Sequence, residues 1–72
     1  MVKKKDILTI VGDNIRQIRM SQGVSQNQLA FEAGVTREFI NKVESGKNNI
    51  SIKNLEKIAD ILEVNIKDLF NL

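Results

Sequence analysis

Apolar residues recur along this chain at helical spacing, and the stretches between them are short and polar. From about Thr9, Val11, Ile15 and Ile18, with Ile10 beside them, share one helical face until Gly23 breaks the pattern. Asn14, Arg16 and Gln17 take exposed positions of this first helix, whereas Arg19 lies beside the apolar stripe and requires an anionic partner. Ser25 and Gln28 match a capping box, in which each side chain satisfies an amide left free by the first turn, so a second helix is expected over about Gln26 to Ala33. Gly34 then supplies a left-handed stop, and Thr36 caps a third helix running from Arg37 to Ser45, with Gly46 ending it. Leu29, Ala30 and Ala33 face Val35, Ile40 and Val43 across this turn, and the two alanines allow close approach. In the polar KNNIS stretch Ile50 is the apolar anchor, and Ser51 caps a fourth helix. That helix, Ile52 to about Glu63, puts Ile52, Leu55, Ile58, Ala59 and Leu62 on one face and Lys53, Glu56, Lys57 and Asp60 on the other. Asn65 with Asp68 marks a last cap before a fifth helix carrying Ile66, Leu69 and Phe70. Phe31 and Phe39 fall outside these stripes, and Ile61 sits at their margin.

With 72 residues the chain holds one core, and a domain of this size buries only about 60% of its unfolded surface. Proline is absent and Leu, Ile, Lys, Glu and Asn abound, so the expected class is all-α. No His and no Cys leaves nine carboxylates as the only candidates for acid-base or metal chemistry, and neither an enzyme nor a cofactor is expected. No apolar run approaches the roughly 20 residues that span a bilayer, and the N-terminus lacks the apolar stretch of a signal peptide, so a cytoplasmic protein is expected. The net charge is +2, but residues 1–53 hold nine Lys or Arg against five Asp or Glu, while residues 54–72 hold two against four. The basic part is the part that contains the two short helices, as a phosphate-facing surface requires. The opening MVKKKD has charge without apolar pattern, and residues 1–8 read as a basic arm ahead of a domain over residues 9–72.

From Gln26 to Gly46 the pattern Q-x-x-L-A-x-x-A-G-V-x-x-x-x-I-x-x-V-E-x-G resembles the helix-turn-helix of the lambda-repressor-like, Cro-type (XRE) family of bacterial and phage DNA-binding regulators. The resemblance extends from about Gly12 to Phe70. It implies a five-helix DNA-binding domain in which the second and third helices form the helix-turn-helix. It also implies a buried ion pair between Arg19 and Glu44, which stand where the family has its Arg and Glu. Arg37, Glu38 and Lys42 fall where the family reads bases, with Thr36 and Asn41 flanking them, and the family counterpart of Gln26 clamps the DNA backbone. Phe39 departs from the pattern, because the family position near the start of the third helix is often small and polar. The NNIS loop and the chain length lean faintly toward the controller proteins of restriction-modification systems.

The residue chemistry agrees with that role. A helix fills the major groove, where Arg or Lys donates to guanine O6 and N7, Asn pairs with adenine and Glu accepts from cytosine N4. Ser25, Gln26 and Asn27 open the second helix, where free amides and the helix dipole favour a phosphate, and Lys47 with Asn48 follows the third. Ile61, Val64, Ile66, Phe70 and Leu72 offer apolar surface beyond what so small a core absorbs, so a homodimer on a two-fold symmetric operator of double-stranded DNA is expected. A competing reading is an antitoxin, an interaction protein that binds a toxin partner as well as DNA. A single-strand or RNA binder is disfavoured, since three Phe and no Tyr or Trp leave little for stacking.

Overall fold

The computed structural model describes residues 6–72, and each α-helix in it opens on a side-chain oxygen that takes up a free backbone amide. Asp6 accepts from Leu8 N at 2.8 Å and starts α1 (Ile7–Ser21). Ser25 accepts from Gln28 N at 3.0 Å before α2 (Gln26–Ala33), and Thr36 from Phe39 N at 3.0 Å before α3 (Arg37–Glu44). Ser51 accepts from Asn54 N at 3.1 Å before α4 (Ile52–Ile61). The Asp6 cap explains why α1 begins two residues ahead of its apolar pattern: residues 6–8 belong to the domain, and the remainder of the expected basic arm lies outside the described residues. At Ser25 only half of the capping box forms, because Gln28 sends its Nε2 to Glu32 one turn further on, at 3.2 Å.

The expected fifth helix is a 3₁₀ helix of five residues, Ile66–Phe70, whose box closes through Asp68 accepting from Asn65 N at 3.2 Å. So short a segment gains little from α geometry and tightens instead. The fold is therefore all-α with four α-helices and one 3₁₀ helix, and no strand occurs among the described residues.

All four α-helices end in the same way, on a left-handed residue followed by an amide that bonds back five positions. The bonds run from Val24 N to Arg19 O, Val35 N to Ala30 O, Lys47 N to Lys42 O and Val64 N to Ala59 O. Glycine holds the left-handed position in the first three, but in the fourth it is Glu63, at φ 58°. This turn stops α4 at Ile61, although the apolar periodicity runs on past it.

α1 packs on α3 and on the 3₁₀ helix, α2 packs on α3 and α4, and α4 closes on the 3₁₀ helix. Ile15, Leu29, Ile40, Ile58, Leu62 and Leu69 are fully buried at the centre. Side-chain amides and one amine tie the helix ends together. Asn14, expected at the surface, is half-buried and donates to Leu69 O at 2.9 Å and Asn71 O at 2.6 Å. Gln22 Nε2 donates to Leu62 O at 2.7 Å, and Lys57 Nζ to Ala33 O at 3.4 Å.

Two apolar residues take places other than those their periodicity predicts. Ile52 is 75% exposed, since a side chain on the first turn leans toward the helix N-terminus and here passes beyond the core. Phe39 packs half-buried against the core, whereas Phe31 stays 86% exposed.

Gly12 sets the distance between α1 and α3. A Cβ there would overlap the carbonyl oxygen of Val43 and lie 2.8 Å from that of Glu44. Both are backbone atoms of the facing helix, so the helices themselves would have to separate. Gly12→Ala is expected to lower stability by about 3 kcal/mol, the upper end for overpacking, read from urea denaturation; a loss within experimental error would show that the helices separate freely. Glu63→Gly should instead raise stability by about 0.5 to 1 kcal/mol, because removing the left-handed strain outweighs the freedom added to the unfolded chain. Glu63→Ala, which keeps that strain, should give no such gain in the same measurement.

Candidate nucleic-acid interface

The charged centre of the domain lies beneath the surface that α2 and α3 present. Arg19 of α1 and Glu44, the last residue of α3, are both buried. Arg19 Nε donates to Glu44 Oε2 at 2.6 Å and its Nη2 to Oε1 at 3.0 Å, a forked pairing that Arg can make and Lys cannot. The third nitrogen, Nη1, donates to Val24 O at 2.7 Å, in the turn that leads into α2. Gln26, the first residue of α2, completes the set by donating Nε2 to Glu44 Oε1 at 3.0 Å. Four segments thus share one hydrogen-bonded network: α1, the turn after it, the start of α2 and the end of α3. No buried side-chain nitrogen or oxygen among the described residues lacks a partner.

That network and the core fix which way α3 faces. Ile40, Val43 and Glu44 are buried, while Thr36, Arg37, Glu38, Asn41 and Lys42 are exposed. At about 100° per residue, Arg37, Glu38, Asn41 and Lys42 cover an arc of about 140° on the outer side. Thr36 spends its oxygen on the cap and leaves its hydroxyl hydrogen available.

The residues expected to grip a backbone are divided between the two ends of this unit. Ser25 and Asn27 are exposed at the start of α2, with Gln26 half-buried between them. Lys47 is exposed beyond the end of α3, and Asn48 is half-buried beside it. Gly46, just before them, lies against Thr9 of α1, where a Cβ would come within 2.9 Å of the Thr9 hydroxyl.

An open groove of about 370 Å³ runs between α1, α2 and α3, with the Arg19–Glu44 pair in its lining. Arg16 of α1 lines it together with Gln26 and Asn41. In the sequence Arg16 reads only as an exposed position; its three-residue spacing from Arg19 is the signal that puts both on one side of α1.

The residues expected at a dimer interface separate into two groups. Ile61, Val64 and Ile66 pack half-buried against the core, so the domain absorbs more of this surface than the sequence predicts. Phe70 is 40% exposed and Leu72 is fully so. No helix among the described residues is long and apolar enough to cross a membrane.

Removing one partner of a buried pair leaves the other charge without compensation. Arg19→Ala or Glu44→Ala should therefore cost about 3 to 5 kcal/mol of stability. The double change Arg19→Met with Glu44→Leu should cost less than either, since it removes both charges and keeps the volume. Urea denaturation of the three variants checks this, and a double variant weaker than both singles would mean that the pair contributes attraction well beyond its desolvation.

The Helix-turn-helix family model (HTH_3) matches residues 15–69. Control protein C.BamHI of Bacillus amyloliquefaciens is 42% identical over 67 residues, which cover 92% of this chain and 83% of that protein. The transcriptional regulator SlrR of Bacillus subtilis (strain 168) is 40% identical over 63 residues, and there the chain spans only 41% of the relative's length. Among solved structures, the restriction-modification controller protein C.AhdI from Aeromonas hydrophila superposes with a TM-score of 0.84 at 36% identity, covering 88% of this chain and 96% of that one. The biofilm regulator SinR, solved in complex with DNA, superposes with a TM-score of 0.78 at 34% identity, covering 85% of this chain and 98% of that one. Family match, sequence identity and superposition all include the two short helices and the turn between them, and the chain belongs to the helix-turn-helix family of the XRE type.

Proposed function

We propose that this chain is a sequence-specific DNA-binding transcriptional regulator of the restriction-modification controller kind, acting as a homodimer on a two-fold symmetric operator. The observation that carries the reading is α3 itself, held on its inner side by Ile40, Val43 and the Glu44 network while Arg37, Glu38, Asn41 and Lys42 stand exposed on its outer side. A helix so mounted enters the major groove with its N-terminal half against base edges. Arg37 and Lys42 then donate to guanine, Glu38 accepts from cytosine and Asn41 pairs with adenine. Ser25, Gln26 and Asn27 hold the backbone on one side and Lys47 and Asn48 on the other, giving register and affinity without sequence choice. SinR, a relative solved with DNA, supports the ligand, and the controller proteins support the subtype. Regulators and controllers are the relatives named above, and the reading follows them rather than the toxin-binding alternative.

One domain presents one reading helix, and two are needed for a full site. Phe70 and Leu72 are the exposed apolar groups at the C-terminal end, and Ile61, Val64 and Ile66 of the same segment are half-buried. A dimer through this end sets the two α3 helices about 34 Å apart, one turn of DNA. Sedimentation should show a dimer at micromolar concentration or on DNA, and Leu72→Asp with Phe70→Asp should shift it to monomer; a wild-type chain that stays monomeric on a two-fold duplex would refute the assembly.

Reading and gripping residues should fail differently. On a duplex recovered by selection from a random pool, Arg37→Ala should cost about 1 to 3 kcal/mol and relax the choice at one base pair of each half-site. Lys47→Ala should weaken selected and scrambled duplexes alike, and lower the slope of log affinity against log salt by about 0.9, the amount that one neutralised phosphate contributes. An equal loss on both duplexes for Arg37→Ala, with base preference intact, would make Arg37 a backbone-gripping residue and overturn the assignment of the reading face.

A further inference from the structure

We propose that Asn14 of α1 is a positioning residue for the spacing of the two DNA half-sites, because it fixes where the exposed apolar groups Phe70 and Leu72 stand relative to the reading helix. The inference rests on the homodimer reading above and gives α1 a part in it. Asn14 Nδ2 donates to Leu69 O at 2.9 Å and to Asn71 O at 2.6 Å, so both of its hydrogens are committed to carbonyls on either side of Phe70. One side chain thus holds the backbone before and after the exposed ring.

Burial of side chains does little to direct this segment. Leu69 is fully buried, but Phe70, Asn71 and Leu72 after it are all exposed. A 3₁₀ helix of five residues adds little rigidity of its own. Asn71 leaves that helix in an extended conformation, at φ −66° and ψ 135°, and with Leu72 it lies beside the turn of α1 that runs from Ile10 to Asn14. The two residues are not sealed against that turn. An open cleft of about 140 Å³ lies between Ile10, Asp13 and Asn14 on one side and Asn71 and Leu72 on the other. One buried side chain lets a short segment swivel about it, and the two carbonyls held by Asn14 supply the further fixed points that stop the rotation.

The same helix carries this constraint to α3. α1 is unbroken from Ile7 to Ser21, and Asn14 lies about 7.5 Å along its axis from Arg19, whose fork holds Glu44 at the end of α3. On the other side of Asn14, Gly12 sets α1 against the carbonyls of Val43 and Glu44. The helix that fixes α3 therefore also fixes the segment around Phe70. Two domains joined through Phe70 and Leu72 then hold their reading helices at one separation and one relative rotation. Adding or removing one base pair between half-sites shifts a half-site by about 3.4 Å and turns it by about 35°. Loosening the hold of Asn14 should relax the choice of spacing and leave the base contacts of each half-site untouched, since those lie on the outer side of α3.

The test measures affinity of wild type, Asn14→Ala and Ser51→Ala for a duplex recovered by selection from a random pool, for the same duplex with one base pair added or removed between its half-sites, and for a duplex with a single half-site. Wild type should favour the selected spacing by about tenfold or more, the scale of one mismatched position. Asn14→Ala should reduce that preference to about threefold or less and bind the single half-site as wild type does. Ser51→Ala removes the cap of α4 at the end away from this segment, so it should lower stability and keep the wild-type preference. A preference unchanged in Asn14→Ala would overturn the inference, as would an equal loss in Ser51→Ala, which would trace the effect to stability alone. Weaker binding of Asn14→Ala to the single half-site would overturn it too, by making Asn14 a support of the reading face. If Asn14→Ala melts below the assay temperature, Asn14→Ser, which offers one hydrogen to two carbonyls, reads the same ratio. The homodimer reading fails separately: a wild type that binds every spacing no better than one half-site would refute the two-fold assembly and the inference with it, whereas equal selectivity in wild type and Asn14→Ala would refute the inference alone.

Discussion

Arg19 and Glu44 meet inside a core too small to dilute an error in their placement. Burying two charges removes both from water, and their attraction offsets that loss only when the geometry is close and the remaining donors and acceptors are filled. All three Arg19 nitrogens are used, and both Glu44 oxygens accept. The pair also reaches past itself. Through Val24 O it holds the turn before α2, and through Gln26 it holds the first residue of α2. Through these bonds the pair links α1, α2 and α3 to one another at a single point.

The crossing of α1 over α3 makes that arrangement possible. Gly12 allows the α1 backbone onto the carbonyls at the end of α3, and Gly46 does the same for the turn that follows, against Thr9. With the helices so close, Arg19 is buried and its fork reaches both Glu44 oxygens. Repeated capping adds to the effect. Short helices of eight residues, such as α2 and α3, are marginal in isolation, and each is fixed at both ends by a side-chain cap and a left-handed stop. The outer face of α3 is thereby free of any structural duty, and a surface relieved of packing can carry polar residues chosen for a partner.

Legibility in the sequence followed the range of the interactions involved. The caps at Ser25, Thr36 and Ser51, the stops at Gly23, Gly34 and Gly46, and the core positions Ile15, Leu29, Ile40 and Ile58 are local or periodic features, and the chain shows them directly. Arg19 beside an apolar stripe announced its need for an anion, and the resemblance to the helix-turn-helix family pointed to Glu44. Asp6 does not read as a cap, because it follows a run of lysines and joins them in a charged stretch. Glu63 does not read as a stop, because nothing in its chemistry marks a left-handed residue.

By itself, then, the sequence determined the helical class, the order of the elements and the inward faces, since each depends on neighbours within a turn or two. Tertiary structure decided what those elements do with their polar residues. Asn14, Gln22 and Lys57 look like solvated positions in the chain, yet each donates to a carbonyl on a different element, 24 or more residues away. Arg16 looks the same, and only the convergence of α1, α2 and α3 places it on a groove with Gln26 and Asn41. Ile61, Val64 and Ile66 changed in the opposite sense, from surplus apolar surface to half-buried support, because the 3₁₀ helix folds back across α4 and α1. The physical reason is common to all of them. Periodicity reports which side of one helix is apolar, but whether a given side chain meets water or another backbone depends on where a distant helix ends.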